Sequence, residues 1–252
     1  GLGDVYKRQP QSHPGVEDFW GQIRYVRRVR ELPIILEPHW TLGCPYPYSY
    51  RVDVGGLWER ARKARIAGSD TLVLCPEDLL LHACLHLFQN CHGAWLTSSC
   101  DVAQLTKYYE MTFDWQAFVT RVFEFKLCLP VNYALNKTFE LFGPPIPSFV
   151  FDELGSYKAG RVERWSFESL ARLGEAASFG SRYLAHLLGM PGMRLKLRRF
   201  SALLFPSKDF MLEYYAIANA KFLPLYYIVH LKEAFLMALK AVLNIIFPRE
   251  HP

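Results

Sequence analysis

The chain has 252 residues, 51% of them hydrophobic and 15% aromatic, and a net charge of +5. That share of apolar side chains excludes wholesale disorder and suits one large domain, or one domain with an appendage. Basic residues are spread out or gathered in short clusters, at Arg24, Arg27, Arg28 and Arg30 and again at Arg194, Lys196, Arg198 and Arg199. Each cluster reads first as the solvated face of a helix and second as a contact for phosphate, of a nucleotide or of a membrane surface. Nucleic acid is not indicated.

The first nine residues, GLGDVYKRQ, stand apart. The stretch from Asp4 to Gln9 matches one reading frame of a transposon-end adapter used to prepare sequencing libraries, as in metagenomic work. These nine are set aside from fold reasoning. The expectation is a fragment whose native sequence starts near Pro10, with an unknown length missing upstream.

Residues 10–74 are mixed in character. Leu32-Pro33-Ile34-Ile35-Leu36 predicts a buried strand, residues 48–54 alternate weakly as a second, and Thr71-Leu72-Val73-Leu74 is another short apolar run. Between them, Trp58, Ala61 and Ala64 recur at helical spacing and predict an amphipathic helix over 57–67, stopped by Gly68. From Pro76 the punctuation becomes helical. Proline suits a first helical position, and Glu77 and Asp78 complement the positive end of the helix dipole. The helix that follows is apolar nearly all round and should be central, with Gly93 as its stop. Ser98, three residues before Asp101, predicts the cap of a helix through Tyr109. Asp114 caps another through Lys126. Pro130 begins a fourth, closed by Gly143-Pro144-Pro145. Residues 144–192 hold two weak helical patterns, Met193 to Phe205 a basic amphipathic helix, Ser207 the cap of a helix reaching about Asn219, and Pro224 the start of a last helix to Phe247.

The six cysteines, at 44, 75, 84, 91, 100 and 128, show no CxxC spacing. They read as small apolar side chains in a reducing compartment rather than a disulfide framework. The aromatic group Phe210, Tyr214, Tyr215, Phe222, Tyr226 and Tyr227 reads as helix packing.

Two places carry a resemblance. One is Glu37-Pro38-His39-Trp40. The other is Cys75-Pro76-Glu77-Asp78-Leu79-Leu80-Leu81-His82 with His86, then Cys100-Asp101-Val102-Ala103-Gln104-Leu105, then Phe113-Asp114-Trp115. In order and spacing they resemble the bacterial uncharacterised nucleotidyltransferase family. Leu204-Phe205-Pro206-Ser207 and Leu223-Pro224-Leu225-Tyr226-Tyr227 are similar to its C-terminal end. The likeness spans roughly residues 30 to 247.

The resemblance implies an α+β parent whose small sheet carries an adenylyltransferase-like site. This fragment would then be predominantly α-helical, with a small β remnant of that sheet. It implies Mg2+ held by an Asp-x-Asp pair and a third carboxylate, and a nucleoside triphosphate as substrate. Glu37, at the end of the Ile34 to Leu36 run, falls where the third carboxylate is expected, as a metal ligand or catalytic base. No Asp-x-Asp pair lies between Pro10 and Glu37, so the fragment should be inactive alone. Two features depart from the pattern: Pro38 ends the strand, and Cys75 stands where the family has serine. The implied organisation is 1–9 foreign, 10–74 the α/β remnant, 75–147 a helical core and 148–252 a helical extension.

Each candidate has a plainer alternative. Glu37 could be an exposed strand-end acid. His39 could orient a phosphate or pack against Trp40. His82 and His86, four apart on one helical face, could contact the nucleotide in a cleft, hold zinc with Cys91 and His92 nearby, or be core histidines. Asp101 is either a cofactor contact or a cap. The last helix is apolar enough to raise a membrane question, but Lys232, Glu233 and Lys240 argue against spanning. A surface-lying role beside the basic helix stays open. The alternative to the enzyme is therefore a non-catalytic helical protein binding a partner or a membrane surface; on either reading the expected location is the cytoplasm, with the inner-membrane surface as an option.

Overall fold

The computed structural model describes residues 7–8, 25–29, 32–42, 47–89, 95–172 and 179–246. They fall into two compact units, Tyr48–Glu175 and a second made of Gly1–Pro47 with Ala176–Pro252. The architecture is predominantly helical with two small antiparallel sheets.

The first sheet has the order β1 (Lys7–Arg8), β2 (Tyr25–Val29), β3 (Leu32–Leu36). β2 and β3 pair from Tyr25 with Leu36 to Val29 with Leu32. Lys7 and Arg8, set aside on sequence grounds, pair with Val26 and Tyr25. The strand expected at 32–36 is present, but its burial is not: all five residues are exposed, Leu32 at 72% and Ile35 at 50%. β3 is the last strand of its sheet, so it has a partner along one edge only among the described residues. Pro33, which has no N–H to give, suits such an edge.

The unit Tyr48–Glu175 opens with two corrections. Residues 48–54 are not a strand. Ser49–Arg51 form a 3-10 turn, and Asp53 then accepts the Gly55 N–H at 3.1 Å and caps α1 (Val54–Arg60). Nor is 57–67 a helix. The chain leaves α1 at Arg60 and makes a hairpin of β4 (Arg62–Ile66) and β5 (Ser69–Val73). Its two central residues, Ala67 and Gly68, have φ of 49° and 82°, the sign that a tight hairpin with the right twist requires. Gly68 is therefore a turn glycine rather than a helix stop.

α2 (Pro76–Gln89) is the central helix of this unit, with Pro76 as its first residue and burial on almost every side. It packs against α3 (Trp95–Tyr108), α4 (Trp115–Glu124) and α5 (Cys128–Phe142). Near its C-terminal end Phe88 stacks on Phe167 at 5.3 Å between ring centres and meets Tyr48 and Tyr133 edge-on. The expected stop at Gly93 lies outside the described residues. α3 begins earlier than its expected cap: Ser98 is buried inside the helix, and Ser99 donates to Trp95 O at 2.8 Å. Asp101 is thus a mid-helix residue, not a cap. The other ends follow the sequence. Asp114 accepts the Ala117 N–H at 2.9 Å, and α5, starting two residues before Pro130, closes on left-handed Gly143. α6 (Ser148–Gly155) and α7 (Arg161–Arg172) complete the unit.

The C-terminal helices are α8 (Phe179–Gly189), α9 (Met193–Leu204), α10 (Lys208–Tyr214) and α11 (Leu223–Ile246). The loose region after 144 thus holds three helices rather than two. Ser207 caps α10 through a 3.2 Å bond from the Phe210 N–H, but α10 stops at Tyr214, five residues short of Asn219. α11 packs on α8, α9 and α10. Polar bonds fix much of that packing. Tyr227 donates to Pro206 O at 2.7 Å, and His230 Nε2 sits 2.8 Å from Leu203 O. Of the aromatic group expected to pack, Phe210 is buried, whereas Tyr214 and Phe222 are more than half exposed.

Candidate functional site

The densest group of charged side chains among those described lies at the N-terminus of α2. Glu77 and Asp78 occupy its first turn, where unpaired N–H groups and the helix dipole favour carboxylates. Both are buried, Asp78 completely. Burying a carboxylate costs several kcal/mol unless it is paired and hydrogen-bonded, and here every oxygen is engaged. Arg60, the last residue of α1, donates through Nε to Asp78 Oδ2 at 2.8 Å and through Nη2 to Oδ1 at 3.2 Å. Arg121 of α4 reaches Oδ1 at 3.2 Å and lies 3.7 Å from Glu77 Oε2. The Cys75 thiol donates to Asp78 Oδ2 at 3.2 Å, and the Asp114 N–H donates to Glu77 Oε1 at 3.3 Å.

Two carboxylates and two guanidiniums thus tie α1, α2 and the cap of α4 together with balanced charge. The hydrogen bond to Asp78 holds the Arg60 proton more firmly than usual. Burial raises the Cys75 thiol above its ordinary range, so it stays protonated at neutral pH. With Asp78 saturated, the cluster acts as a clamp and leaves no oxygen of that residue for a ligand. Sequence reading placed Glu77 and Asp78 in the first turn but missed their arginine partners, 18 and 43 residues from Asp78 in the chain. Two adjacent acids opening an otherwise apolar helix were the available signal.

A second polar node involves Arg51, which donates to Glu163 Oε1 at 2.6 Å and to Lys126 O at 2.7 Å, with its guanidinium 5.0 Å from the Tyr48 ring centre. Tyr157 donates to Glu163 Oε2 at 3.0 Å, and burial pushes its hydroxyl up to about 12.

The candidates named from sequence fall into both units. Glu37, half-buried, directly follows β3 in the unit that contains Gly1–Pro47. His39 and Trp40 beside it are exposed. His82, His86 and Asp101 belong to the unit Tyr48–Glu175. The two histidine rings lie 6.1 Å apart on one face of α2, His82 half-buried and His86 exposed. Asp101 is exposed on α3. Among the described residues no three of His, Cys, Asp and Glu are placed to hold a metal ion. Cys91 and His92 lie outside those residues.

Comparison with known proteins gives one finding. A family model described as an uncharacterised nucleotidyltransferase matches residues 4–143. The match runs from the first strands to the glycine that closes α5, and includes residues 4–9, which sequence reading set aside. It stops short of the Leu204 to Ser207 and Leu223 to Tyr227 likenesses. No curated protein and no solved structure matches the chain.

Proposed function

Because the chain belongs to the uncharacterised nucleotidyltransferase family, we propose that it serves an enzyme moving a nucleotidyl group from a nucleoside triphosphate to an acceptor. The observation that carries this reading is the single family match that joins the strands around Glu37 to the helices built on α2. In that reading Mg2+ is the ion of the complete site and Glu37 its strand-end carboxylate. His39 is the adjacent candidate for orienting phosphate or acceptor. His86 and Asp101, both exposed, are the helical candidates for nucleotide contact, with His82 beside them.

The described residues do not by themselves suit a Mg2+ site. Such a site needs several hard oxygen ligands, and among the described residues no group of three candidate ligands converges. Glu77 and Asp78 are already bonded to arginines and to a backbone N–H. No catalytic step is therefore assigned to the ion, and we infer that this 252-residue chain does not turn over alone.

The test is pyrophosphate release from each common nucleoside triphosphate with MgCl2. The chain as given is expected to stay at background. Release that disappears in Glu37→Gln would overturn the inactivity and keep the role of Glu37; release indifferent to that substitution would overturn both. The encoding gene read upstream of Glu37 is expected to show a Gly-Ser turn and an Asp-x-Asp pair. Absence of both acids there would sink the enzyme reading.

A further inference from the structure

α9 (Met193–Leu204) presents an apolar stripe to solvent. Met193, Leu197 and Phe200 recur at intervals of four and three residues and are 68%, 61% and 46% exposed. Phe205, just past the helix, is 62% exposed. None of the side chains of α9 is buried. A helix with residues of this spacing ordinarily hides them in a core, so the stripe calls for another apolar phase.

The charge around the stripe identifies that phase. α9 carries Arg194, Lys196, Arg198 and Arg199 and no acid. At 100° per residue, Arg194 and Lys196 fall on opposite sides of the stripe. Arg199 has its guanidinium 5.3 Å from the Tyr183 ring centre, which leaves it tied to α8. An apolar line bordered by cations is the pattern of a helix lying in a lipid interface, its apolar side among acyl chains and its cations at headgroup level. Nucleic acid would use only the cations, whereas an anionic bilayer meets both the apolar line and its charged borders along the whole helix.

The neighbouring α11 supports the same occupant. It packs on α9, yet Leu225, Ile228, Phe235 and Leu236 are each at least half exposed. By length and composition the stretch Ala220–Lys240 could cross a bilayer, and little of it is buried in the protein. Its setting favours the surface. One side is bonded to Leu203 and Pro206 through His230 and Tyr227, and the opposite side carries Lys232. α9 itself is too short to span: its 12 residues cover about 18 Å, against a hydrocarbon core of roughly 30 Å.

We propose that α9 docks the chain on the surface of a bilayer rich in anionic phospholipid, with Met193, Leu197 and Phe200 in the acyl boundary and Arg194 and Lys196 among the headgroups. The proposal uses none of the residues assigned to nucleotidyl transfer and requires no nucleotide, so its failure and that of the nucleotidyl-transfer reading are distinguishable.

The test is flotation of the whole chain, without nucleotide, with vesicles of phosphatidylcholine alone or of three parts phosphatidylcholine to one part phosphatidylglycerol. Binding to the anionic vesicles is expected, weakening as NaCl is raised. The double variant Arg194→Glu/Lys196→Glu should lower partitioning at least about tenfold, and Leu197→Ser/Phe200→Ser by a similar factor, both with unchanged circular dichroism. No vesicle binding would overturn the proposal, as would equal binding to both compositions or binding indifferent to the variants. A dimer in solution broken by Leu197→Ser/Phe200→Ser, without vesicle binding, would assign the stripe to a second copy instead.

Discussion

α2 and α11 are both long, apolar on most sides and opened around a proline, yet they end in opposite environments. In α2, Leu80, Leu81, Cys84, Leu87 and Phe88 are buried, and even the two acids of its first turn are enclosed by arginines. In α11, only His230 and Ala234 are buried among the described side chains, and Phe235 is 68% exposed. The lesson is that apolar periodicity establishes a helix without establishing what covers it. What separates the two is tertiary: the helices packed on α2 enclose it, whereas those packed on α11 leave much of its apolar surface exposed.

That contrast can be broken by substitution. Phe88→Ala removes a fully enclosed ring and should cost about 4 kcal/mol of unfolding free energy, read from urea denaturation; Phe235→Ala in α11 should cost less than about 0.5 kcal/mol. Similar losses in the two would erase the distinction. Next in size is Asp78→Ala, which strands the Arg60 and Arg121 guanidiniums at a partly buried site and should cost about 3 kcal/mol. A loss within error would mean that the clamp is solvated. Asp114→Ala should cost about 1 kcal/mol by removing the α4 cap, with Phe88→Ala and Asp114→Ala adding independently.

The smallest effects should be alike in both units. Lys126 and Ala216 adopt left-handed backbone, φ 53° and 48°, after α4 and α10. Each helix end shows the same pair of bonds: Lys126 N–H to Phe123 O with Leu127 N–H to Val122 O, and Ala216 N–H to Glu213 O with Ile217 N–H to Leu212 O. Glycine relieves such a position, so Lys126→Gly and Ala216→Gly should each stabilise by about 0.5 to 1 kcal/mol, seen as a higher melting temperature. Opposite signs would show that local backbone and tertiary setting are not separable here.

What was legible in the sequence follows the same division. Local chemistry was readable: Asp114 and Ser207 as caps, Gly143 as a stop and Pro76 as a start all stand where their side chains or φ preferences put them. Residues 57–67 misled because Trp58, Ala61 and Ala64 fit a helical face, while pairing with β5 across Ala67-Gly68 made a hairpin of half that stretch. Ser98 looked like a cap, but the helix had already begun at Trp95. Contacts distant in the chain were invisible. Nothing near Asp78 announces that Arg121 will reach it, and nothing in Leu32 to Leu36 tells whether another layer covers β3. Glu37 was singled out only through family likeness, since a lone acid after a strand carries no signal of its own.

The central claim is that the apolar side chains of α2 form core while those of α9 and α11 form surface. Hydroxyl-radical footprinting of the whole chain tests it most directly, because modification follows side-chain exposure. Phe200, Phe235 and Leu236 should be modified rapidly and Leu81 and Phe88 protected. Protection of Phe200, Phe235 and Leu236 to the level of Phe88 in the monomeric chain would contradict it.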